Sequence, residues 1–183
     1  VFSTDVAIIK NINADAIIAV YPFTPQPAIT QAIIGVSEVP VFCGVGGGLT
    51  NGVRSASMAA YVEHQGAYGV VCNSKIGVET IHAIKDAVEI PVVYTVISEN
   101  TDIQPYLTAG VDIINVSGAA RTPEIVGTLR QRYPELPIIA TGGPTEESIL
   151  ATIRAGANAI TYTPPSSASL FAKTMADNRS ELE

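Results

Sequence analysis

The chain has 183 residues, of which 47% are hydrophobic and 15% charged, with a net charge of −7. That length buries one sizeable core, and so apolar a composition excludes a disordered chain. The acidic balance argues against a general nucleic-acid surface, which needs clustered Lys and Arg, and two cysteines are too few for a disulfide framework.

Taken in chain order, short Val/Ile-rich runs without clean alternation recur at 16–21, 41–44, 69–73, 92–96, 112–116, 138–141 and 159–163. Such runs suit parallel strands buried on both faces. Between them apolar residues return every third or fourth position. Ile125, Leu129 and Tyr133 are one such set and Ile149, Ile153 and Ala157 another, which predicts amphipathic helices. Strand and helix alternating in this way predict a parallel α/β sheet.

The runs come in two kinds that alternate. Those at 41, 92 and 138 follow Glu38-Val39-Pro40, Glu89-Ile90-Pro91 and Glu135-Leu136-Pro137. A proline opens a strand at little cost because its missing N–H precedes the ladder. The others follow a helix end rich in small residues, where Gly66, Gly110 and Gly156 stand at positions that want a left-handed C-cap; the first copy, Asn13-Ala14-Asp15, lacks its glycine. Seven runs in strict alternation imply a proline-type partner ahead of Val1. The expected architecture is therefore a (β/α)8 TIM-type barrel with its first strand missing from the chain, so that seven βα units are visible, in a single domain over residues 1–183.

In a barrel the chemistry sits at the C-terminal ends of the strands. The substrate-pocket candidates there are Asn73, Asn115, Ser117, Thr141 and Arg121, the last as a partner for an anionic group. Lys75 is the one lysine just beyond a strand end, where it could form a Schiff base or steady a carboxylate. Glu99 is the candidate general acid or base, although Asn100-Thr101-Asp102 reads equally as a helix cap. His64 and His82 fall within helical segments, away from this face. The stretch 44–52 holds five glycines in nine residues, a lid or a source of backbone N–H groups, but it matches no nucleotide-binding fingerprint. Cys43 and Cys72 read as small buried core residues. No His/Cys/Asp/Glu cluster suggests a metal site and no cofactor is expected; magnesium would enter only with a phosphate.

Gly142-Gly143, directly after a strand, lets backbone N–H groups approach a ligand. The helix beyond Pro164-Pro165-Ser166 has no acid in its first turn, which leaves its N-terminal potential unspent. The run PIIATGGPTEESILATIRAGANAITYTPPS resembles the last two βα units of phosphate-binding TIM barrels, the ribulose-phosphate-binding-like group. The resemblance implies a phosphate held by Gly142, Gly143, Thr163 and Ser166. The order of elements is also similar to that of the glycerol-3-phosphate-responsive antiterminator family. The chain departs from the Schiff-base aldolases of that superfamily, whose lysine lies on the sixth strand; the matching stretch 112–117 has none.

Two classes of function follow. The leading expectation is a phosphate-binding barrel enzyme, a lyase or isomerase acting on a small phosphorylated carbohydrate or keto acid, with Lys75 and Glu99 as its catalytic groups. The alternatives are a metabolite-sensing regulator of the antiterminator type and a barrel that binds phosphate without turnover. The expected partner is a small phosphorylated metabolite, with no membrane and no nucleic acid, in a cytoplasmic homo-oligomer.

Overall fold

The computed structural model describes residues 3–21 and 23–180, so the single-domain reading over 1–183 extends past the described residues at both ends. Its frame is one sheet of seven parallel strands laid side by side in chain order. They are β1 (Ile17–Ala19), β2 (Val41–Gly46), β3 (Gly69–Cys72), β4 (Val92–Val96), β5 (Ile113–Val116), β6 (Ile138–Thr141) and β7 (Ala159–Thr161). Each predicted run becomes one strand. Helices α1 (Ser3–Asn11) to α8 (Ser167–Ser180) alternate with them: α2 (Pro27–Val36), α3 (Val53–His64), α4 (Val78–Lys85), α5 (Gln104–Thr108), α6 (Thr122–Arg132) and α7 (Glu146–Arg154) lie between. This is the expected α/β TIM-like fold with seven βα units. Among the described residues β7 and β1 each pair on one side alone, so the barrel wall is open there.

Hydrogen bonds explain the alternation of strand types. In a parallel ladder the proline carbonyl is still a full acceptor, and Pro40, Pro91 and Pro137 each take the first bond from the preceding strand, from the N–H of Ile17 (2.9 Å), Val70 (2.9 Å) and Ile114 (3.0 Å). The carbonyl of the next residue, Val41, Val92 or Ile138, accepts from Tyr68, Asp112 or Asn158 at 2.8, 2.9 and 2.8 Å. Two of these partners return the bond through their side chains: Asp112 Oδ2 accepts from Val92 N–H at 2.8 Å and Asn158 Oδ1 from Ile138 N–H at 2.9 Å. Gly66, Gly110 and Gly156 are all left-handed, with φ of 95°, 102° and 108°, as the C-cap reading requires.

The buried side chains of sheet and helices pack into one core cluster between them. Val70, Val92, Ile114, Ile138 and Ala140 come from the sheet; Val62, Ile81, Ile84, Ile125 and Leu129 come from the helices packed outside it. Each large aliphatic side chain fully withdrawn from water stabilises by about 1.5–3 kcal/mol. Cys43 and Cys72 belong to this core, and burial pushes their thiols up to about 11 and about 12. Neither forms appreciable thiolate near neutrality. With a disulfide-exchange reagent at pH 8, the folded protein is expected to stay unlabelled on the timescale over which the guanidinium-unfolded chain gives up both thiols. Rapid labelling of either in the native state would contradict their placement.

One helix face differs from expectation. On α7 the structure buries Thr152 and half-buries Ile149, while Ile153 stays 47% exposed. The cause lies at Gly142, where a Cβ would meet Ile149 Cγ1 at 2.8 Å and Ile160 Cγ2 at 2.6 Å. The bare glycine lets α7 dock on the turn Ile149 presents, and Thr152 satisfies its hydroxyl on the Ser148 carbonyl at 2.9 Å. The last helix, α8, is exposed at every residue whose side chain is described. The segment leading to it, with Tyr162, Pro164 and Pro165, shares a cavity of about 460 Å³ with Ala7, Ile8, Asn11 and Ile12 of and just after α1. No described helix is long and apolar enough to cross a membrane.

Candidate functional site at the barrel mouth

A cavity of about 570 Å³ opens at the C-terminal ends of β1 to β5. Its polar side is made by Tyr21, Thr50, Asn73, Thr95, Asn115 and Ser117, and Lys75 is the single charged residue in its lining among the described residues. The Lys75 ammonium makes no ion pair or hydrogen bond with the described residues. In a chain of net charge −7, the described residues thus give the cavity one positive charge and no negative one. Four of the predicted site residues, Lys75, Asn73, Asn115 and Ser117, come together here.

The backbone around Lys75 is held from both sides. Asn73 N–H donates to the Gly46 carbonyl at 2.9 Å, its side-chain oxygen accepts from Ser74 N–H at 2.7 Å, and its carbonyl accepts from Ile76 N–H at 3.0 Å, which closes a β-turn around Lys75. Gly47 lies so close to this turn, at φ +96°, that a Cβ would meet the Asn73 carbonyl oxygen at 2.6 Å. That contact accounts for one of the loop glycines by close approach rather than mobility; the loop itself is tied by Gly47 N–H to the Thr50 carbonyl at 2.8 Å. Beyond the turn, Tyr94 of β4 and Tyr106 of α5 stack with ring centroids 4.0 Å apart and planes 9° from parallel. The Tyr94 hydroxyl donates to the Ser74 carbonyl at 3.3 Å and the Tyr106 hydroxyl to the Ile76 carbonyl at 3.1 Å. The two carbonyls flanking Lys75 are therefore fixed by one aromatic pair. Burial, with the Tyr106 hydrogen bond second, pushes the Tyr94 phenol well up, so it stays a donor.

Asn115, on β5, donates from Nδ2 to Thr95 Oγ1 at 3.3 Å, while its Oδ1 is buried without a partner among the described residues. Glu99 and Arg121 lie outside the cavity lining and bond to each other, and Arg121 also reaches Glu124 at 3.3 Å. The guanidinium predicted to meet a substrate anion is thus occupied by two carboxylates of the protein itself. Glu99 is mostly covered, with its side chain 22% exposed, and its other oxygen, Oε2, has no partner. The Arg121 hydrogen bond holds the Glu99 carboxyl below the ordinary carboxylate range. A depressed folded-state value means that the pair contributes above the ordinary glutamate range and is lost as pH falls through the lowered one. Asp102 Oδ1 accepts from the first N–H of α5, that of Gln104, at 3.1 Å, while the N-cap position itself is held by Ile103.

The predicted phosphate residues lie elsewhere on the rim. Gly142, Gly143, Thr163 and Ser166 follow β6 and β7 and do not line the large cavity, and neither does Thr141, which pairs in register with Thr161. Gly142 N–H is spent on the Thr161 carbonyl at 3.1 Å. Gly143, at φ +78°, turns the chain into Thr145, which caps α7 in a reciprocal box with Ser148. Ser166 Oγ accepts from Ser169 N–H at 3.1 Å, an ordinary helix cap. Arg130 is also committed, donating to the carbonyls of Gly156, Pro134 and Leu136 and to Asn158 Oδ1 at 2.6–3.1 Å. Among the described residues no group of three or more His, Cys, Asp and Glu side chains could hold a metal ion.

No protein-family model matches the chain, and no curated protein sequence matches it. Solved structures share its fold. A candidate dihydrodipicolinate synthetase from Pseudomonas aeruginosa superposes with a TM-score of 0.69 at 13% identity over 86% of this chain, which spans 61% of that protein's length. A candidate phosphonomutase from Burkholderia cenocepacia J2315 gives 0.65 at 15% identity over 99% of both chains. A 2,3-dimethylmalate lyase, described as a member of the PEP mutase/isocitrate lyase superfamily, gives 0.69 at 15% identity over 93% of this chain and 75% of its own. At such identities the likeness establishes the barrel fold.

Proposed function

We propose that the chain is a barrel lyase acting on a small anionic carbonyl compound, a keto acid or a phosphorylated carbohydrate, engaged by Lys75. The observation that carries this reading is the unpaired Lys75 ammonium as the sole charge in the cavity lining. The carboxylate of a keto acid is drawn to that site, and its carbonyl lies within reach of the same side chain. After losing a proton, the Lys75 amine adds to the carbonyl carbon; loss of water leaves an imine. Protonated, that imine accepts the electron pair released when the carbon–carbon bond once removed from the imine carbon, between its α and β carbons, breaks, and an enamine is left. The lyase among the solved structures of this fold adds support. Glu99 is the proposed acid–base group at the rim, with one oxygen held by Arg121 and the other unpartnered. For a phosphorylated substrate the proposed contacts are Gly142, Gly143, Thr163 and Ser166; in their favour, Gly143 N–H meets no acceptor among the described residues.

Sodium borohydride added with pyruvate, or with dihydroxyacetone phosphate, tests the covalent step. Peptide mass spectrometry is expected to find the reduced adduct on the peptide containing Lys75. An adduct confined to other lysines, or none with either compound, would sink the imine.

A further inference from the structure

We infer that the substrate of this site carries one negative charge and an apolar alkyl or aryl substituent, which makes it a substituted 2-keto acid and not a polyhydroxy sugar phosphate. This rests on the reading of the cavity as the substrate site of Lys75. Val20, Phe23, Leu49 and Ile97 all line the cavity, and they are 57%, 68%, 80% and 55% exposed. They arrive from three separate loops, after β1, β2 and β4, so no single irregular turn puts them there. Scattered surface hydrophobics need no explanation, but several gathered at one concave mouth mark a surface that is covered in use.

The charge and polar inventory point the same way. A lone lysine balances one carboxylate and leaves a phosphate dianion half unmatched in an acidic protein. A polyol needs many free partners, yet Asn73 Oδ1 already accepts from Ser74 and Asn115 Nδ2 already donates to Thr95, and Asn115 Oδ1 remains as an acceptor that a single hydroxyl or carboxyl proton satisfies. The polar floor can orient a carboxyl and a carbonyl, and the apolar rim then receives what extends above them. A volume of about 570 Å³ is also in the range that encloses ligands much larger than pyruvate.

Isothermal titration with four probes decides it: pyruvate, 4-methyl-2-oxopentanoate, phenylpyruvate and glyceraldehyde 3-phosphate. The two apolar acids are expected to bind at least tenfold more tightly than pyruvate. Tenfold corresponds to about 1.4 kcal/mol, which about 55 Å² of buried apolar surface supplies. Replacing both Phe23 and Leu49 by serine is expected to bring these two acids to within about twofold of pyruvate; at 68% and 80% exposure neither site threatens folding. Equal binding of pyruvate and the apolar acids overturns the inference. So does tightest binding of the sugar phosphate, or an apolar preference that survives the double substitution. In those cases a continued dependence on Lys75 leaves the proposed function standing. Binding that ignores Lys75→Met, or no binding of any probe, removes that reading as well.

Discussion

Tyr94→Ala is expected to destabilise the protein by about 3–5 kcal/mol, the range for deleting a fully buried aromatic ring. Tyr94 is 1% exposed, sits on a central strand and gives its face to Tyr106 at 4.0 Å. The substitution removes the ring's burial, abolishes the stack and leaves a cavity between β4 and α5 that a five-residue helix is poorly able to refill. Since domains have only about 5–15 kcal/mol in hand, the variant is expected to be partly unfolded near 37 °C. A urea titration with unchanged slope and a lowered midpoint is the check; a loss below about 1 kcal/mol would mean that the stack contributes little. Tyr94→Phe is the milder companion. It keeps the ring and loses the bond to the Ser74 carbonyl, at a cost of about 1 kcal/mol.

Lys75→Met is the second large effect, and it falls on binding instead of stability. Hydrogen bonds to a charged group contribute about 1.5–3 kcal/mol, so keto-acid affinity is expected to fall by roughly 10- to 150-fold. The side chain is exposed and has no partner among the described residues, so the melting temperature is expected to move little. Lys75→Arg separates the two parts of the proposed role. It keeps the charge and with it much of the affinity, but it cannot form the imine, so borohydride trapping is expected to vanish. Wild-type affinity in the methionine variant would show that the cavity draws its ligand without this charge.

The strands were legible because each is a short Val/Ile run, and all but β1 are preceded by a proline or a left-handed glycine, signals that local backbone chemistry alone imposes. Where β2 ends was not legible: the ladder runs on through Gly44, Val45 and Gly46 because Asn73 N–H bonds the Gly46 carbonyl across to the next strand. The same limit governs the site. Lys75, Asn73, Asn115 and Ser117 are found together because a barrel puts all strand ends on one face, so knowing the fold is enough. That Arg121 spends its charge on Glu99, 22 positions away, depends on how two loops lean. The roles of Asp112 and Asn158, which hold the first N–H of a neighbouring strand, had only a faint signal: an Asx residue two positions after Gly110 and Gly156, where Tyr68 follows Gly66. The Tyr94–Tyr106 pair had none, because neither residue is near Lys75 in sequence and both rings lie behind the sheet face that carries the cavity.

The open wall of the sheet carries a consequence for how molecules of this protein behave together at high concentration. An unpaired strand edge offers a row of free N–H and C=O groups on which another chain can add, the first step towards fibrous aggregates. Among the described residues the two edge strands, β1 and β7, are the shortest of the sheet, at three residues each, while the six-residue β2 is enclosed on both sides. So brief a template gives an incoming strand too few bonds to offset the entropy of ordering it.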